Sequence, residues 1–109
     1  MTDTELLEAA AKAAGVELEG VVEEGTDAGK GVTRCGDWWA PLHDDGDAMR
    51  LAVDLEMDVF VRREWVEAVA PMGAAQKVRY GLEGPRVAAR RAITCAAAAM
   101  PARRVLGAA

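Results

Sequence analysis

WWAPLHDDGDAMRLAV, residues 38–53, decides how this chain is read. Two tryptophans, the only histidine and three aspartates fall within the ten positions 38–47, directly ahead of an apolar helical pattern. Trp38 and Trp39 are adjacent, so on a strand they point to opposite faces. Pro41 disfavours helical backbone at Ala40 and closes that strand. Asp44 suits the N-cap of a following helix, with Asp47 three residues on in capping-box spacing, and Gly46 relaxes the first turn. Asp44, Asp45 and Asp47 all lie where the positive end of the helix macrodipole favours carboxylates. Ala48, Leu51, Ala52 and Leu55 form one stripe, with Met49 and Val53 at its margin, which predicts a helix over about 45–56.

Working outward, Thr2 and Glu5 stand in capping-box spacing before Leu6, Leu7, Ala10, Ala13 and Ala14, and Gly15 fits a left-handed C′ position. A first helix over 4–14 follows. Valine-rich VELEGVVEE (16–24) and VTRCGDWWA (32–40) read as two strands joined by glycine-rich GTDAGKG. Residues 57–71 and 77–83 return to β character around the turn PMGAAQ. Gly84-Pro85 opens a last helix reaching about Met100. Ala88, Ala89, Ala92, Ile93, Cys95, Ala96, Ala99 and Met100 lie on one side of it; Arg86, Arg90, Arg91 and Thr94 lie on the other. The tail 101–109 is expected to fray. The order α-β-β-α-β-β-α predicts an α+β domain with one antiparallel four-stranded sheet covered by helices.

A chain of 109 residues suits one domain and one core. Alanine supplies 23 positions, and the five aromatics (Trp38, Trp39, Phe60, Trp65 and Tyr80) are expected to provide much of the core bulk, with both adjacent indoles buried. No apolar run approaches membrane-spanning length and the start MTDTELLE is unlike a signal peptide, so a cytoplasmic protein is expected. Cys35 and Cys95 lack metal-site spacing and read as buried free thiols, with a disulfide conceivable only if the fold brings them together. The net charge of −5 is unevenly spread. Residues 1–60 carry 15 acidic and 4 basic side chains, a balance of −11; residues 61–109 carry 3 acidic and 9 basic, a balance of +6.

Enzymatic readings find little purchase. The chain has no serine, its one histidine has no assignable partner, and GTDAGKG lacks the spacing of a phosphate-binding loop. As a calcium loop starting at Asp44, DDGD would need a glutamate at the twelfth place, where Leu55 stands. His43 beside Asp44, Asp45 and Asp47 lacks the second histidine of a good zinc site. Helix capping is the plainer role for these aspartates, and no catalytic residue, metal or cofactor is assigned. Arg86, Arg90 and Arg91, with Arg62, Arg63, Lys77, Arg79, Arg103 and Arg104, form a candidate basic face. Overall acidity disfavours nucleic acid as its partner, since nearby carboxylates repel phosphate.

Residues 38–53 resemble the W-x-P-L-x-D-D-G-D-A-[LM]-R-L-A signature of the phage ABA-sandwich family, small tailed-phage and prophage proteins. Leu6 to Gly15 is similar to that family's opening LLE-x-A-A-x-A-A-G helix, and Ala88 to Ala98 to its closing A-A-x-R-A-I-x-x-A-A-A helix. The resemblance implies an α/β/α sandwich encoded by a phage or prophage and working in the bacterial cytoplasm. It transfers no activity and no catalytic residues. Ala40 stands where family members often carry a polar residue such as asparagine, which counts against a polar site there. The function expected is an accessory module acting by contact with a phage or host protein, or with further copies of itself, with Trp38, Trp39, His43, Asp44, Asp45 and Asp47 as candidate contact residues. The alternatives are a nucleic-acid-binding or nucleic-acid-mimicking protein and, behind these, a metal-dependent enzyme centred on His43 to Asp47.

Overall fold

A computed structural model describes residues 1–71 and 75–101. Helix α1 (Asp3–Ala14) begins as its sequence dictates. The Glu5 N–H donates to Thr2 Oγ1 at 3.1 Å, and the Thr2 N–H donates to Glu5 Oε1 at 3.0 Å. It ends at Gly15, whose φ of 73° lets the next amide, that of Val16, reach the Ala11 carbonyl. Next come β1 (Leu18–Val21), β2 (Gly31–Thr33), β3 (Trp38–Trp39), α2 (Asp45–Asp54), β4 (Asp58–Val61), β5 (Trp65–Val69), β6 (Ala75–Arg79) and α3 (Pro85–Ala98). The α+β class and the three helices stand as expected from the sequence.

The four-stranded sheet does not. Two three-stranded antiparallel sheets take its place, ordered β1-β2-β3 and β4-β5-β6. Each extra strand arises because one expected strand folds back on itself. In residues 32–40 the reversal is at Arg34–Asp37. The Gly36 N–H donates to the Thr33 carbonyl at 2.9 Å with Gly36 at φ 87°, and Thr33 Oγ1 accepts from the Asp37 N–H at 3.2 Å. In residues 57–71 the reversal is at Arg62-Arg63-Glu64, closed by the Arg62 N–H donating to the Trp65 carbonyl at 2.8 Å. Strand β6 begins at Ala75, two residues before its expected start, so part of PMGAAQ is strand; Met72 to Ala74 and the tail from Ala102 lie outside the described residues.

Helix α3 is the hub. It packs against α1, α2 and all three strands of the second sheet. Ala88, Ala92, Ile93, Ala96 and Ala97 are buried along it. Alanine lets backbones approach closely, so the gaps are filled by Leu51, Leu55 and Val66 rather than by large rings. Thr94, expected on the polar side, is fully buried; its hydroxyl donates to the Arg90 carbonyl at 2.7 Å, which removes the cost of burying it. The helices gather on one face of β4-β5-β6, where Val66 and Ala68 point, and the exposed Phe60, Lys77 and Arg79 occupy the other. Helices therefore do not cover both faces of this sheet, unlike the α/β/α sandwich that the resemblance implies. The first sheet docks on α1. A Cβ added at Gly31 would lie 2.9 Å from a methyl of Leu18 and 3.2 Å from one of Leu7.

The aromatic residues do not supply the core bulk expected of them. Trp38 is 59% exposed and Phe60 40%, while Trp39 and Tyr80 are only partly buried against the core. The indoles at 38 and 39 do take opposite faces, but only one of them reaches the interior. No described helix is long and apolar enough to cross a membrane.

Helix α2 ends in the same geometry as α1 but without glycine. Glu56 takes φ 56°, and the Met57 N–H donates to the Ala52 carbonyl at 2.9 Å. A left-handed conformation is strained for a residue with a Cβ. Glu56→Gly is expected to raise stability by about 0.5–1 kcal/mol, partly offset by the added freedom of the unfolded chain. Urea denaturation reads this as a higher midpoint at unchanged slope; a lower midpoint contradicts it.

Candidate functional site

The junction of β3 and α2 carries most of the candidate residues. Pro41 and Leu42 are buried and anchor the connection. The Ala40 carbonyl accepts from the His43 and Asp44 amides at 2.9 and 2.8 Å, which turns the chain toward the helix. Asp44 is the N-cap, with extended backbone and Oδ2 accepting the Asp47 N–H at 2.8 Å. Asp47 does not complete a capping box. Its side chain reaches back to the strand, where Oδ2 accepts the Ala40 N–H at 2.9 Å and Oδ1 accepts from Arg50 at 2.6 Å. That bond and the Asp47 charge push the Arg50 guanidinium further up from its ordinary pKa. Gly46 has a specific reason to be small: a Cβ there would lie 3.1 Å from Asp44 Oδ2 and 3.2 Å from the Arg50 guanidinium.

Asp45 turns away toward α3. It pairs with Arg90 at 2.5 Å and with Arg86 at 3.5 Å, while Arg90 Nε donates to the Leu42 carbonyl at 3.2 Å. Arg91 reaches Asp3 at 2.7 Å, tying α3 to the start of α1. Arg86, Arg90 and Arg91 thus hold helices together through acidic partners. His43 is exposed, with Nε2 2.7 Å from the Ala28 carbonyl, so that nitrogen carries the proton and ties the β1–β2 loop to the site. In that loop Lys30 bonds Asp27 at 2.7 Å and holds its carboxyl below the usual carboxylate range.

Lys30, Trp38, Ala40, His43, Asp44, Asp47 and Arg50 line an open pocket of about 440 Å³. Its charges are already engaged, Arg50 with Asp44 and Asp47 and Lys30 with Asp27, and the exposed indole of Trp38 lines it as well. Sequence reading found Trp38, His43 and the aspartates. It missed Arg50, although the Asp47 to Arg50 spacing of three on a helix was a usable signal, and it missed Lys30, which arrives from a distant loop. Trp39 faces the core instead of the pocket. Among the described residues no group of three or more His, Cys, Asp or Glu side chains could hold a metal ion. The three aspartates diverge, two toward Arg50 and one toward α3.

Both cysteines are free. Cys95 is half-buried, and that burial pushes its thiol pKa up. Cys35, expected to be buried, is exposed because it occupies the turn between β2 and β3 and not the continuous strand expected over residues 32–40.

A scan against family models, a search of curated proteins and a search of solved structures each return no match to this chain.

Proposed function

We propose that this chain is a phage or prophage accessory protein that acts by protein–protein contact and not by chemistry of its own, with the Trp38 surface as its contact site. The observation that carries this reading is the exposure of Trp38, 59% open above a pocket whose charges already hold one another. Tryptophan is enriched among the residues that dominate binding energy, and prearranged charges around it lower the ordering cost of association. Met49 and Val53, one helical turn apart on α2 and also exposed, extend an apolar strip beside Arg50. The phage origin rests on the sequence signature alone.

The partner that this surface fits most simply is a second copy. In a two-fold arrangement the exposed Trp38, Met49 and Val53 of one copy would pack on the same residues of the other. Of the twelve acids in residues 17–58 that a nucleic-acid mimic would display, five are engaged: Glu17, Asp27, Asp44, Asp45 and Asp47 each pair with a lysine or arginine.

Sedimentation equilibrium over a wide concentration range tests the reading. Self-association is expected, and Trp38→Ala is expected to weaken it about 30-fold or more, as for a binding hot spot, while leaving the circular dichroism spectrum unchanged. If the chain stays monomeric, and Trp38→Ala captures the same proteins from phage-infected cells as the wild type does, the Trp38 site is wrong.

A further inference from the structure

We infer that the outward face of the β4-β5-β6 sheet binds single-stranded nucleic acid. This surface is separate in its residues from the Trp38 pocket and does not depend on it. Antiparallel register sets Phe60, Glu67 and Lys77 in one row across the three strands, and Trp65 opposite Arg79 in the next. The helices cover only the other face.

The distribution of cations singles this face out. Lys30, Arg34, Arg50, Arg86, Arg90 and Arg91 each make an ion pair. Among the described residues five basic side chains make none, and four of those five, Arg62, Arg63, Lys77 and Arg79, belong to this sheet or to its β4–β5 turn. Two of them already lie over aromatic rings, Arg62 at 5.0 Å from the Phe60 centroid and Lys77 at 4.7 Å from that of Trp65. Rings on a sheet face with unpaired cations over them suit an unpaired base: it stacks on the ring, and the displaced cation meets its phosphate.

Asp58 and Glu67 share the face and Glu64 the β4–β5 turn, so its field is modest and stacking must provide much of the affinity. That favours a single strand over the other polyanions. A duplex hides its base faces, which leaves the two rings nothing to stack on. An acidic peptide has no use for the two rings.

Fluorescence anisotropy with labelled oligothymidylate and oligouridylate at low salt tests the proposal. Binding is expected, weakening steeply as salt is added. Phe60→Ala is expected to reduce affinity about 5- to 160-fold, the range for losing one stacked base. Lys77→Gln combined with Arg79→Gln is expected to flatten the slope of log affinity against log salt by about 1.4, the value for two phosphate contacts on a single strand. All three side chains are exposed, so these variants should keep the wild-type dichroism spectrum. Absence of binding at low salt overturns the proposal, as does an unchanged affinity for Phe60→Ala. Competition by duplex DNA or by polyglutamate as effective as that by the unlabelled oligonucleotide overturns it too.

Discussion

Truncating Leu7 to alanine is expected to destabilise the fold by about 2–5 kcal/mol, the range for removing a fully buried leucine. Leu7 has no solvent exposure and meets Leu18 over Gly31, where α1 carries the first sheet. The high end of the range is the better expectation, because the neighbours are ill suited to closing the gap. Gly31 has no side chain, and Ala10 and Ala11 on the same helix are too short to reach into it. Typical domains are stable by only about 5–15 kcal/mol, so the loss is a large share of the total. Urea denaturation would show a much lower midpoint. Leu82→Ala, at a fully exposed position, serves as the control and is expected to stay within about 0.5 kcal/mol of wild type. A Leu7→Ala protein as stable as the control would mean that the first sheet does not depend on this contact.

Asp47→Ala is expected to cost about 1.5–3 kcal/mol, more than either neighbouring aspartate. Its carboxylate is only 14% exposed and makes two bonds in opposite directions, to the Ala40 amide of the strand and to Arg50 of the helix. Removing it leaves the buried Ala40 N–H without its acceptor. Asp44→Ala removes one capping bond at an exposed position, for about 1 kcal/mol. Asp47→Asn should recover part of the loss, because an amide oxygen can still accept from Ala40. Thermal or urea unfolding of the three variants gives the ranking. A reversed order, or Asp47→Ala with full stability but no self-association, would make the DDGD segment a recognition element first and a structural one second.

How much of this was legible depended on whether the physics was local. Thr2 with Glu5, Gly15, Asp44 and Pro85 mark helix ends because capping is settled within a few residues, and each does so in the structure. The two strand reversals were harder. Cys35-Gly36-Asp37 does contain a glycine that takes positive φ, but it sits inside an otherwise plausible strand. Arg62-Arg63-Glu64 has neither glycine nor proline, and only its run of charge hinted at a turn. The Asp45 to Arg90 pair spans 45 positions, and no periodicity reports a bond of that kind. The aromatic residues misled for another reason. Ring size says how much a side chain gains from burial, but an alanine-rich hub leaves few spaces where a ring fits.

The broad interface between α1 and α3 has a consequence for how the molecule comes into being. Asp3 and Arg91, which tie these helices together, lie 88 positions apart. While only residues 1–84 have left the ribosome, the first two helices and the second sheet lack the element that their apolar faces share. Contacts of such long range cannot form piecemeal, and their closure is slow relative to local structure. Completion of the core therefore waits for α3, and until it arrives the faces it will cover on α1, α2 and the second sheet are open to aggregation.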